Sequence, residues 1–218
     1  MTEVTNAPVQ APKPYKILIL VDTQADFVMR WGLLPVAGAE SIIIPGIGIL
    51  SKLDAGEYAA VLFTYDSHIA AEYVGGLENV GQPDLGIPGF PLHCEKGTPG
   101  WENVFNPSLV PVGIPTYELH KTVFDAWERD SFLTPVFSTD RKQRFGKGRD
   151  EFFALMKAQG VTVATVLGVA SDFCVKDMIR GLLAFGFAVE VIEECTAGIA
   201  RDMKQTVADE FPGRVTLI

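Results

Sequence analysis

The run Tyr15–Val21, YKILILV, is apolar almost without interruption, and residues 59–65, AAVLFTY, have the same character. A strand with one wet face alternates. A continuous run is expected of strands covered by helices on both faces, the usual condition of a parallel sheet. Two further runs, 116–120 and 161–169, extend the pattern. Each of the four is followed at its carboxyl side by a residue able to do chemistry: Asp22, Asp66, Lys121 and, a few positions on, Cys174. The carboxyl ends of parallel strands in an open α/β sheet border one crevice, so these groups are expected to meet there.

The intervening segments read as helices. Ile47, Leu50 and Leu53 fall at helical spacing, with Pro45 suited to a first turn. Residues 149–160 carry a helical pattern closed by Gly160, residues 175–185 carry another, and 188–192 and 215–218 read as the last strands. This alternation predicts an α/β fold, a three-layer αβα sandwich with a doubly wound, mainly parallel sheet. One domain over residues 15–218 is expected, behind a loose tail, 1–14, that carries Pro8, Pro12 and Pro14. The stretch 67–115, rich in Gly and Pro and holding His68 and His93, is long for a connection in a compact domain and reads as a wall of the active site.

Composition narrows the partners. A net charge of −9 argues against nucleic acid and acidic membrane surfaces, which clustered cations bind, and no apolar run has the length of a membrane span. The tail lacks the basic start and apolar centre of a signal peptide. Cys94, Cys174 and Cys195 are odd in number and widely spaced, which fits no disulfide framework or four-cysteine zinc site and suits the reduced cytoplasm.

Taken singly, each candidate residue has an ordinary reading: a core cysteine, a capping aspartate, a solvated lysine. Taken together they suggest more. Cys174 opens a helix, where the dipole lowers a thiol pKa. Asp22 is suited to take the thiol proton, and Lys121 to hold either charge. Asp26, Ser171 and Asp172 are expected to serve as structural caps, and His120 to shape the strand beside Lys121. Asp66 and His68, two apart in extended chain, point the same way. With His93 they form an oxygen-and-nitrogen set suited to zinc, iron or manganese. Glu72 and Glu78 have little to recommend them as ligands over solvent exposure.

These motifs resemble, in order, those of the isochorismatase-like cysteine hydrolases, and among them the nicotinamidases. The resemblance rests on Val21-Asp-x-Gln-x-Asp-Phe27, Asp66-x-His68, Phe90-Pro-x-His-Cys94 with Gly97-Thr-Pro-Gly100, Lys121, and Gly168-Val-Ala-Ser-Asp-x-Cys-Val175. It implies the isochorismatase-like hydrolase fold, a catalytic triad of Asp22, Lys121 and Cys174, and Asp66, His68 and His93 as ligands of one divalent metal ion. It also implies a cis peptide at Val169-Ala170, with the amides of Ala170 and Cys174 as oxyanion hole, and Phe27 and Phe90 flanking a substrate ring. Val74 stands near where some relatives place a second histidine, so three protein ligands completed by water are expected.

The implied reaction is deamidation of nicotinamide to nicotinate and ammonia through a thioester, with a small-molecule amide as partner and a homo-oligomer allowed. The rival within the family is a hydrolase of another amide or an N-carbamoyl compound, and many such relatives lack the metal set. Isochorismatase chemistry itself is disfavoured by the nucleophilic cysteine. A dinucleotide-binding oxidoreductase would need a glycine-rich turn after the first strand, where this chain has Asp22-Thr-Gln-Ala-Asp. A non-catalytic binding module on the same fold is the remaining alternative.

Overall fold

Eight strands join one sheet in the computed structural model, which describes residues 15–81, 83, 89–131, 134–139 and 147–218. They are β1 (Tyr15–Val21), β2 (Tyr58–Asp66), β3 (Thr116–Lys121), β4 (Pro135–Ser138), β5 (Lys147–Gly148), β6 (Val161–Val169), β7 (Ala188–Ala197) and β8 (Val215–Leu217). Their spatial order is β5-β4-β3-β2-β1-β6-β7-β8. From β3 through β8 all pairings are parallel, while β4 and β5 add an antiparallel edge beyond β3. The mainly parallel α/β fold expected from the apolar runs is thus found. The expected tail, 1–14, lies outside the described residues.

Side chains alternate between two apolar layers, as the period of a strand requires. Ile17, Ile19, Ala60 and Leu62 face one layer, and Leu18, Leu20, Val61 and Phe63 the other. The helices in chain order are α1 (Ala25–Val28), α2 (Ile43–Leu50), α3 (Ala70–Tyr73), α4 (Leu77–Val80), α5 (Arg149–Ala158), α6 (Cys174–Ala184) and α7 (Met203–Glu210). The first layer is closed by Phe152, Phe153 and Met156 of α5, by Val175, Met178, Ile179 and Leu182 of α6, and by Met203 and Val207 of α7. Leu50 of α2 closes the second, together with Phe105, Val110 and Ile114. Each large side chain so buried contributes roughly 1.5–3 kcal/mol.

The chain winds outward from β1 to β2 on one side and resumes at β6 on the other, which puts the topological switch beside β1. Val21 pairs with Gly168 at the carboxyl end of β1 and β6. A Cβ on Gly168, whose φ is 123°, would lie 2.1 Å from the Val21 carbonyl oxygen. Only glycine lets the two backbones approach this closely where the crevice opens.

Candidate active site

Asp22, Asp66 and Lys121 stand at or just past the ends of β1, β2 and β3, and Cys174 opens α6 after the β6 loop. The pairing of β2 with β3 sets Asp66 directly against Lys121. All four side chains are buried: Asp22 is 0%, Asp66 1%, Lys121 1% and Cys174 9% exposed. The Lys121 Nζ lies 2.9 Å from Asp22 Oδ2, 3.6 Å from Asp66 Oδ2 and 3.7 Å from Cys174 Sγ. The sulfur nucleophile, carboxylate and cation singled out in the sequence therefore share one spot. The peptide Val169-Ala170 is cis.

Neighbours that sequence reasoning missed hold this arrangement. Asp22 adopts a left-handed backbone, φ 47°, which costs a non-glycine residue on the order of 1 kcal/mol and is tolerated best by short polar side chains. The Thr64 hydroxyl fixes it twice, accepting from Asp22 N–H at 3.0 Å and donating to Asp22 Oδ1 at 2.5 Å. Asp22 Oδ2 is left facing Lys121 without a well-aligned hydrogen bond. Gln24 pairs with the Asp66 backbone through both ends of its amide, at 2.8 Å each, and donates to the Trp101 carbonyl at 3.0 Å. A glutamine three residues past a strand end carries no distinctive sequence signal beyond its place in the Val21–Phe27 motif.

The electrostatics correct one expectation. A helix start was expected to favour the thiolate, yet burial pushes the Cys174 thiol well above its ordinary pKa. Lys121 opposes that rise, and the charges of Asp22 and Asp66 add to it. Burial works against the charge on Lys121, but Asp22 and Asp66 overcome it and hold the ammonium well above its usual range.

Asp66, His68 and His93 also converge, and a fourth donor joins them. The donor atoms of Asp66, His68, Glu78 and His93 all lie within 4.8 Å of one another. His68 Nε2 stands 3.1 Å from Asp66 Oδ1 and 2.9 Å from Glu78 Oε2, and His93 Nε2 stands 3.3 Å from Asp66 Oδ2. Glu78 had been expected in solvent, but it is 2% exposed. The run between His68 and Glu78 has no helical or strand period, so nothing in the sequence announced that α3 and α4 would fold it back. Glu72 is exposed, as expected.

The donor set fits a divalent cation. His68 Nε2 and both Glu78 oxygens are buried without an aligned hydrogen-bond partner, an arrangement costly in an interior unless something coordinates them. Burial and the Asp66 charge push Glu78 above its usual range, the repulsion a cation relieves. The His93 Nδ1 lies 2.8 Å from the Pro91 carbonyl oxygen, which fixes the ring and turns Nε2 toward the cluster.

Two capping expectations are also corrected. Asp172 does not cap α6; its carboxylate accepts from the N–H groups of Ile199, Ala200 and Arg201 at 2.9, 2.8 and 3.1 Å. That ties the turn after β7 to the Cys174 loop, because the chain returns there before entering α7. Ser171 Oγ makes no hydrogen bond among the described residues. Asp26 does serve structure, accepting from the Leu33 N–H at 2.9 Å and the Cys94 N–H at 2.7 Å. His120 stacks on Tyr65 and Trp101, and its Nδ1 lies 3.0 Å from Ser67 Oγ. All three cysteines are free.

A cavity of about 380 Å³, its open mouth included, joins Cys174 and Ala170 to Asp66 and His93. Phe27, Leu34, Val36, Phe90 and Phe124 line it, and Phe27 packs 5.1 Å from the His93 ring. The 67–115 stretch supplies part of this wall, through Phe90 and His93.

Strand ends, thiol and buried donor set together define an open α/β protein with a candidate active site at the carboxyl ends of its central strands. The chain belongs to the isochorismatase domain family, which matches residues 16–214. It is 28% identical over 200 residues to the nicotinamidase/pyrazinamidase of Mycobacterium tuberculosis, covering 90% of this chain and 94% of that one. The pyrazinamidase of Pyrococcus horikoshii, solved in complex with zinc, superposes with a TM-score of 0.66 at 22% identity, covering 94% and 99% of the two chains. PnC1 from L. infantum, solved in complex with nicotinate, does so with 0.62 at 25% identity, covering 94% and 92%. No helix among the described residues is long and apolar enough to cross a membrane.

Proposed function

We propose that this protein is a metal-containing cysteine amidohydrolase that converts nicotinamide, or a close pyridine carboxamide, to the carboxylic acid and ammonia. The observation that carries this reading is the Lys121 ammonium within 3.7 Å of the Cys174 sulfur and 2.9 Å of Asp22, beside a buried four-donor set. Relatives whose names state activity on nicotinamide and pyrazinamide support the substrate class. The apolar cavity between Phe27 and Phe90 suits an aromatic ring.

In this reading Asp22 Oδ2 takes the Cys174 proton as the sulfur bonds to the amide carbon. The N–H groups of Ala170 and Cys174 donate to the oxygen on which negative charge develops. Asp22 returns the proton to the nitrogen, the carbon–nitrogen bond breaks, and ammonia leaves a thioester. Water then gives a proton to Asp22 and its hydroxyl to the acyl carbon; the carbon–sulfur bond breaks and the thiol regains its proton. Lys121 stays charged throughout and keeps the excess negative charge tolerable. Asp66, His68, Glu78 and His93 would hold the divalent ion, for which their nitrogen and oxygen donors suit zinc, with iron and manganese also accepted. When bound, that ion supplies a Lewis acid for the pyridine nitrogen and so orients the ring.

The test is ammonia release from nicotinamide, pyrazinamide and open-chain amides, before and after chelation. Turnover of the two ring amides, lost on chelation and restored by metal, is expected. Turnover of open-chain amides alone would show the substrate class to be wrong.

The fourth donor has its own test. Glu78→Gln should weaken zinc binding at least about tenfold, the smaller loss usual even for a group that only supports a ligand, while Glu72→Gln leaves it unchanged. Competition with a zinc indicator measures both. Equal affinity in Glu78→Gln would return the site to three protein ligands.

A further inference from the structure

The four donors stand between two cavities that share no lining residue. Asp66 and His93 border the apolar cavity that contains Cys174. His68 and Glu78 border a second one, of about 770 Å³ with its mouth included. Its other walls include Ser67, Thr122, Lys96 and Arg129, none of which has a part in the proposed reaction.

The two cavities suit different traffic. A hydrated cation exchanges its water for protein donors step by step, and an apolar wall offers nothing in return for the water it strips. The first cavity is apolar apart from Asp66, His93 and Cys174; the second sets hydroxyl and charged groups beside Ile69 and Tyr73. An amide seated between Phe27 and Phe90 would also stand between the donor set and the first mouth. We infer that the metal ion and its exchanging water reach the donor set through the Ser67–Arg129 cavity, so that the cation and the amide use separate doors. The inference rests on the metal reading proposed above. Exposed Glu72, Lys96 and Arg129 together set the charge on this wall, so charge reversal at Lys96 alters cation uptake in a salt-dependent way.

The experiment follows zinc leaving the loaded protein for an excess of chromophoric chelator. Ile69, half exposed on the wall of the second cavity, is replaced by Trp to narrow it. Ile199, half exposed on the wall of the first, is replaced by Trp as the counterpart. Ile69→Trp should slow release about fivefold, equivalent to about 1 kcal/mol in barrier, and leave the KM for the amide unchanged. Ile199→Trp should raise that KM and leave zinc release as it was.

If Ile69→Trp does not fold, Lys96→Glu decides the matter. It should speed zinc uptake by the stripped protein at low salt, lose that advantage at high salt, and differ from Lys176→Glu, which changes net charge equally. Release slowed by Ile199→Trp, or wild-type kinetics in every folded variant, would overturn the separate route while leaving the metal site standing. A parent protein that retains no zinc by elemental analysis after loading would remove the metal reading and this inference together.

Discussion

Cys174→Ala is expected to abolish ammonia release from nicotinamide, by at least about 10⁴-fold, the scale on which loss of a covalent nucleophile is felt. The folded chain should survive. Cys174 is 9% exposed and packs at the start of α6, so the variant loses one sulfur from a wall that keeps its other atoms, at about 1 kcal/mol. Cys174→Ser tests the chemistry more finely. The hydroxyl keeps the shape but is a far weaker acid than a thiol, and Asp22 cannot strip it. It should therefore be almost as inactive as alanine. Ammonia assays alongside thermal unfolding by circular dichroism measure both effects. Turnover by Cys174→Ala within tenfold of the parent would exclude the thioester.

Lys121→Met should lose about 3–5 kcal/mol of stability, the usual result of removing one partner from a buried charge cluster. The ammonium lies between Asp22 and Asp66, 2.9 and 3.6 Å away, at 1% exposure. Without it two buried carboxylates face each other, and one must take up a proton. If that one is Asp22 the base is gone, so turnover should fall by about 10²-fold or more. Adding Asp22→Asn should recover part of the lost stability, because a neutral amide needs no cation, and should recover no activity. Denaturant unfolding of the two variants and the parent decides this. A loss below about 1 kcal/mol for Lys121→Met would show that the cluster is solvated and its charges independent.

The sequence revealed most where one residue type sits at a strand end. Asp22 and Asp66 each close an apolar run, Lys121 closes a shorter mixed one, and the sheet's parallel register does the rest. The antiparallel edge was not legible, since Pro135–Ser138 and Lys147–Gly148 are too short to carry a period. Helix α7 was missed because Met203 and Val207 are its main apolar contacts with the core. Glu78 was invisible for another reason: its burial depends on how α3 and α4 fold back over β2, not on local pattern. Asp172 was expected to cap α6 and instead holds the turn after β7, because the amides it binds come from beyond that strand's carboxyl end, which no local pattern announces.

The meeting of Val21 with Gly168, where no side chain could stand between the strands, has a consequence for how the molecule fails. Because the reacting groups ride on separate strands, a slip of β1 by a single position would swing Asp22 off the sulfur even if every layer stayed packed. Hydrolysis then acts as a gauge of whether the centre of the sheet keeps in step, and under gentle denaturation it would fade before the rest of the molecule lets go.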